Sequence, residues 1–137
     1  MKPLVCLLLT LVLAIAVPSV GAAETQSPAP ARAAKRGNLV HMVVFKFKPE
    51  AGAEKIREVE RAFAALPGKI PQIRSFEWGT NVSPEKLDKG FTHGFILTFD
   101  NAADRDAYLV HPAHKAFGEL VGPVLADVFV IDFHARE

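Results

Sequence analysis

The segment that most limits the fold is 39–48, which alternates like a β-strand but is apolar on both sides over its first half. One side carries Leu39, His41, Val43, Phe45 and Phe47. The other carries Val40, Met42, Val44, Lys46 and Lys48. A strand that is apolar on both sides must be covered on both sides, so this segment predicts the middle of a sheet that lies between two layers.

The remaining patterns predict a β-α-β-β-α-β order. Helical periodicity covers 50–66, and strand patterns cover 73–80, 91–99 and 124–133. A second helix begins after Asn101, a suitable N-cap, and must stop at or before His111 because a residue before proline avoids the helical conformation. Pro112 suits the first turn of a new helix that runs to about Leu120. This order predicts a ferredoxin-like α+β sandwich with both helices on one sheet face.

The sheet face without helices is expected to be strongly apolar. The sequence assigns to it Val40, Met42, Val44, Ile96, Val124, Val128 and Val130. An exposed apolar surface of this size indicates a partner. The simplest partner for one small domain is a second copy, so we expect a homodimer through this face, a dimeric α+β barrel.

The first 37 residues do not resemble a folded domain. Residues 1–23 combine Lys2, an apolar run and a small-residue end at Ala22 and Ala23, which predicts a cleaved signal peptide and a periplasmic or secreted protein. Residues 24–37 are rich in Ala, Pro and Ser and are expected to be a flexible linker, and 38–137 the folded domain. No membrane association is expected once the signal is removed. The single cysteine, Cys6, lies within the predicted signal, so the mature chain would have neither a disulfide nor a thiol nucleophile.

The charge pattern argues against nucleic acid as a partner. The chain has 16 basic and 15 acidic residues, and Lys2 is the only charged residue within 1–23. The mature chain would therefore be neutral, and it has no basic stripe with interleaved aromatic residues.

One group of side chains is suited to proton transfer. Tyr108 and His114 flank the break at Pro112, which allows them to converge, while His41 and His93 lie on the helix-facing side of two strands expected to be neighbours. A tyrosine hydroxyl can donate to an oxyanion, and a neutral histidine can remove a proton next to a carbonyl. The alternative is structural: each histidine makes one hydrogen bond in the core, Tyr108 packs under its helix, and His111 and His114 cap the turn.

The H-x-x-H pattern of His111 and His114 is too short a signal for a metal site, and no acidic residue or cysteine stands at ligand spacing. We expect neither a metal nor a cofactor.

The chain resembles the stress-responsive A/B barrel family, called Dabb, over about 39–133. The resemblance rests on the motifs HMVVFKFK from His41, WGxN from Trp78, GFTHGF from Gly90 and DAYLVHPAHKAF from Asp106, together with the closing Ile131-Asp132-Phe133. It implies a dimeric α+β barrel and a possible link to stress. The pocket motif is similar to that of a plant cyclase in the family, which closes a linear polyketide thioester by aldol condensation without a cofactor. By that resemblance His114 would be the base, Tyr108 the oxyanion donor, and His41 and His93 pocket residues.

Three functions remain open from the sequence. The first is an exported module that binds a small apolar or carbonyl-bearing ligand in a cleft between helices and sheet, with His41, His93, Phe95, Leu97 and His111 as ligand contacts. The second is a cofactor-free cyclase or lyase that uses His114 and Tyr108. The third is a structural or protein-interaction dimer.

Overall fold

The computed structural model describes residues 38–136, which form four strands and three α-helices. The strands are β1 (Leu39–Phe47), β2 (Ser75–Thr80), β3 (His93–Phe99) and β4 (Leu125–His134). The helices are α1 (Ala53–Ala64), α2 (Ala102–Val110) and α3 (Pro112–Val121), and 3₁₀ turns follow α1 at Leu66–Gly68 and α3 at Gly122–Val124. The predicted signal (1–23) and linker (24–37) lie outside the described residues. No helix within 38–136 is long and apolar enough to cross a membrane.

The four strands form one antiparallel sheet in the order β2-β3-β1-β4. The predicted ferredoxin-like α+β fold is therefore confirmed, with β1 and β3 at the centre. His41 lies directly opposite Leu97 on β3 and opposite Asp132 on β4. Since directly opposed residues share a sheet face, these three side chains lie on the same side of the sheet.

The second helix is broken where the sequence predicts. The Asn101 side chain accepts a hydrogen bond from the Asp104 N–H at 2.9 Å and caps the start of α2. His111 has an extended backbone (φ −64°, ψ 137°), and Pro112 begins α3. The break therefore lies between Tyr108 and His114 and turns the direction of the chain between them.

The core between helices and sheet is built from closely packed aromatic rings. The Phe63 ring of α1 lies 4.4 Å from Phe95 on β3 and 4.5 Å from Phe117 on α3, measured between ring centroids. Phe45 on β1 lies 4.9 Å from Phe95. Phe63 and Phe95 are fully buried, so these contacts hold α1 and α3 against the central strands.

The prediction for the helix-free sheet face is wrong at three positions. Val124 lies in the second 3₁₀ turn and packs against the core, while Val128 and Val130 lie opposite Phe45 and Val43 on the helix side. Both sides of β4 are apolar, so the alternation alone could not show which side faces the helices. We call the helix-free side the open face. It carries Val40, Met42, Val44, Ile96, Phe129, Ile131 and Phe133.

Candidate proton-transfer site

Tyr108 is the centre of the candidate site. It projects from α2 into the core and is 1% exposed. Its ring centroid lies 4.3 Å from that of His114 and 5.7 Å from that of His41. Burial raises the pKa of the Tyr108 phenol, so the hydroxyl keeps its proton and can act as a hydrogen-bond donor at neutral pH.

His114 is held as a neutral ring with a defined tautomer. Its Nδ1 lies 3.1 Å from the Leu109 carbonyl oxygen, across the helix break. A carbonyl only accepts hydrogen bonds, so Nδ1 carries the proton and Nε2 keeps its lone pair. Burial lowers the pKa of His114, and the nearby His41 acts in the same direction, while the hydrogen bond to Leu109 opposes both. A histidine of this kind is a competent base near neutral pH.

His41 is held by an acidic residue, Asp132, on the neighbouring strand β4. Its Nδ1 lies 2.6 Å from Asp132 Oδ1, and the other carboxylate oxygen of Asp132 accepts from Arg105 Nη1. Sequence reasoning identified neither Asp132 nor Arg105 as a site residue. Asp132 had a signal, since it is an acid inside the apolar run of β4. The only sequence signal for Arg105 was its position three residues before Tyr108 on the same helix.

Three polar atoms around the Tyr108 ring remain without partners. Within 38–136, the Tyr108 hydroxyl and the Nε2 atoms of His41 and His114 make no hydrogen bond, and none is a fully enclosed, unsatisfied polar atom. The site therefore holds one O–H donor and two imidazole Nε2 atoms that no protein group engages. This is the set that is needed to hold a carbonyl oxygen and remove a proton from the adjacent carbon.

His93 lies on the same sheet face but away from this group. It is opposite Phe45, four positions along the strand from Leu97, or about 13 Å at the usual strand rise. Both ring nitrogens are occupied, Nε2 by Glu60 at 3.0 Å and Nδ1 by the Thr92 hydroxyl at 2.8 Å. The structure brings His41, Tyr108 and His114 together and leaves His93 in a separate pair with Glu60.

The other predicted ligand contacts have mixed surroundings. Leu97 is fully buried opposite His41, next to the candidate site. Phe95 is fully buried in the aromatic core beside Phe63. His111 is the N-cap of α3, where its Nδ1 accepts from the Ala113 N–H at 3.1 Å, as in the structural alternative for this residue. A ligand-binding role for these residues stays a prediction.

The described part of the chain contains no group of three or more His, Cys, Asp or Glu side chains that could hold a metal ion. The Nδ1 atoms of His111 and His114 are both engaged with the backbone around the break.

A groove of about 900 Å³ lies against the open face, beside the loop that joins β2 to β3. Its apolar wall includes Met42, Val44, Ile96 and Phe129. These residues belong to the open face, whereas Tyr108 and His114 lie beneath the helices. The groove is therefore separate from the candidate proton-transfer site.

The fold and the site define a ferredoxin-like α+β barrel protein with a tyrosine and two histidines beneath its broken helix. The family model for the stress responsive A/B barrel domain, Dabb, matches residues 39–135, and the chain belongs to that family.

The chain is similar to two curated proteins and to a solved structure of unknown function. The stress-response A/B barrel domain-containing protein HS1 of Arabidopsis thaliana is 36% identical over 98 residues, which cover 72% of this chain and 90% of HS1. Olivetolic acid cyclase of Cannabis sativa is 28% identical over 97 residues, 71% of this chain and 96% of the cyclase. A dimeric ferredoxin-like protein of unknown function from Bacteroides fragilis has a TM-score of 0.61 and 29% identity, over 73% of this chain and 98% of that structure.

Proposed function

We propose that the protein is a lyase or cyclase that binds a small carbonyl compound beside Tyr108 and removes a proton from the carbon next to the carbonyl. The observation that carries this proposal is the contact of the Tyr108 ring with His114 and His41, since all three rings keep an unengaged polar atom. The similarity to a cyclase over most of both chains supports the same class of reaction.

The chemistry follows from the roles of the two side chains. His114 Nε2 takes the α-proton, and the electron pair of the broken C–H bond forms an enolate. The Tyr108 hydroxyl donates a hydrogen bond to the enolate oxygen, whose negative charge is thereby stabilised in a water-poor site. In a cyclase the enolate carbon then attacks a second carbonyl of the same molecule. The new alkoxide recovers the proton from the His114 imidazolium, which returns the base to its starting form.

Exchange of α-protons for deuterium tests this proposal without knowledge of the natural substrate. The exchange of methyl ketones and β-keto esters in D₂O would be followed by proton NMR. We expect the wild-type protein to accelerate exchange, and His114→Gln to reduce the acceleration by about 100-fold or more. Lys115→Gln is the matched control, since Lys115 is the next residue on α3 and is exposed. No acceleration by the wild type, or full activity of His114→Gln, would contradict the proposal.

Ligand binding without turnover is the second candidate. The same free hydroxyl of Tyr108 supports it, because one donor in an apolar site is enough to hold a carbonyl ligand. Calorimetry would then show that the protein binds ketones, while NMR would show that their α-protons are not exchanged. Affinity would then fall most where the side-chain volume changes next to the site, as in Leu97→Ala.

We also propose that the protein works as an exported homodimer. The open face supports the dimer, since Ile96, Phe129, Ile131 and Phe133 are 39% to 47% exposed in a single chain. The Bacteroides fragilis relative is described as dimeric. Export rests on the signal-like composition of residues 1–23 alone.

A further inference from the structure

Arg105 occupies a place in the site that no motif predicts. It lies three residues before Tyr108 on α2, and positions three apart lie on the same side of a helix. Arg105 Nη1 donates to Asp132 Oδ2, while the other oxygen, Oδ1, lies 2.6 Å from His41 Nδ1. One carboxylate thus connects the helix that carries the oxyanion donor to the strand that carries His41.

This ion pair is less exposed than the pair of Arg74 with Asp100. The side chains of Arg105 and Asp132 are 20% and 27% exposed, against 55% and 49% for Arg74 and Asp100. A partly buried pair with two different donors on one carboxylate fixes that carboxylate more firmly than an exposed pair does. Arg105 is itself held by Asp106 Oδ1, which lies 2.8 Å from its Nε.

We propose that Arg105 is a positioning residue for the proton-transfer site, which holds Asp132 so that the carboxylate accepts the Nδ1 proton of His41. The role rests on the proposed function, because it concerns the same site. With Asp132 fixed in this way, His41 stays held through Nδ1, and its ring stays against the ring of Tyr108. Arg105 also offsets part of the negative charge of Asp132.

Without Arg105, the carboxylate would carry an uncompensated charge and one free oxygen. It could rotate away from His41 or bind water, and the His41 ring would then adopt more than one tautomer or orientation. Because the Tyr108 ring contacts His41, a change in this ring alters the geometry around the hydroxyl donor. Misplacement of about 1 Å at such a site costs roughly 100-fold in rate.

The test compares Arg105→Leu, Arg105→Lys and the control Arg74→Leu, which removes an exposed arginine from the Asp100 pair. Nitrogen-15 NMR reports which ring nitrogen of His41 carries the proton, and deuterium exchange of acetophenone gives kcat and KM. We expect Arg105→Leu to mix the His41 tautomers and to lower kcat by about 10- to 100-fold with little change in KM. Arg105→Lys should restore part of kcat and part of the single His41 tautomer, because lysine keeps the positive charge but lacks the planar set of N–H donors of the guanidinium.

The two readouts separate the two proposals. If Arg105→Leu matches Arg74→Leu in the tautomer of His41 and in kcat, the role proposed for Arg105 is wrong, even when the wild type catalyses exchange. If the wild type gives no exchange while Arg105→Leu still disturbs the His41 tautomer, Arg105 positions His41 as proposed and the proposed enzyme function fails. Equal thermal midpoints for Arg105→Leu and Arg74→Leu would show that a difference in kcat or in the His41 tautomer does not come from a general loss of stability.

Discussion

His41 and Asp132 are 91 residues apart in the chain, and their Nδ1 and Oδ1 atoms lie 2.6 Å apart across β1 and β4. The two residues are direct partners in the antiparallel register, so the sheet itself brings them together. The carboxylate fixes one nitrogen of His41, just as the Leu109 carbonyl fixes one nitrogen of His114. Two imidazoles that contact the Tyr108 ring are thereby each held through Nδ1.

The pH dependence of exchange follows from the lowered pKa of His114. Its pKa lies below the ordinary value of 6.5 because burial disfavours the imidazolium. The base therefore remains neutral at pH 6.5, and kcat/KM should fall only at lower pH. An acidic midpoint at or above 6.5 in a pH profile of the exchange rate would be inconsistent with this assignment.

The same shift has a consequence for stability. Between the lowered pKa of folded His114 and 6.5, the unfolded chain binds more protons than the folded one. The contribution of His114 to the free energy of unfolding should thus decrease as the pH falls through this window and become constant below it. Urea unfolding of the wild type and His114→Gln, compared across the window, measures this contribution, and equal pH slopes for the two proteins would rule it out.

Tyr108→Phe separates the chemistry from the packing. The ring stays in place against Phe99 and His114, at centroid distances of 5.2 Å and 4.3 Å, but the donor to the oxyanion is lost. We expect the exchange rate to fall by about 100-fold, with a thermal midpoint near that of the wild type. Unchanged exchange would mean that another group stabilises the enolate.

Phe63 should contribute strongly to the stability of the fold. Phe63→Ala removes the ring that contacts both Phe95 and Phe117, and it should lower the free energy of unfolding by about 3–5 kcal/mol. Chemical denaturation measures this loss. Val82→Ala serves as the control, because Val82 is 91% exposed and its truncation should change stability by less than about 0.5 kcal/mol. Similar losses for both variants would contradict the central place of Phe63.

Ile131→Lys tests the dimer. It places a charge in the middle of the open face, opposite Met42, and should convert the dimer to a monomer in light scattering. Val110→Lys is the control, since Val110 is 64% exposed at the end of α2 and not on the sheet. The interface would lie elsewhere if Ile131→Lys remained dimeric or if Val110→Lys also dissociated the protein.

Export gives a separate prediction about the N-terminus. A chain made from the full sequence in a Gram-negative host should be recovered from the periplasm with Ala23 or Glu24 as its first residue. Leu8→Arg interrupts the apolar run and should block both processing and export. The intact mass of the wild type and of Leu8→Arg shows whether residues 1–23 have been removed. A wild-type protein that stays in the cytosol and retains residues 1–23 would contradict the prediction.

The sequence was informative about the backbone and less so about contacts. Alternation, Asn101 and Pro112 were enough to predict the order of strands and helices along the chain and the broken helix, because these depend on local preferences. Both sides of β4 are apolar, so its facing could not be predicted. The grouping of His41 with Asp132, and the separation of His93 from that group, depend on the register along the strands and on side-chain partners such as Glu60.

The role of His114 as the base is tested most directly by the nitrogen-15 NMR spectrum of its side chain near pH 7, which needs no substrate. We expect a neutral ring with the proton on Nδ1 and a free Nε2, since Nδ1 donates to the Leu109 carbonyl. An imidazolium at this pH, or a proton on Nε2 with an unprotonated Nδ1, would contradict the assignment of His114 as the base.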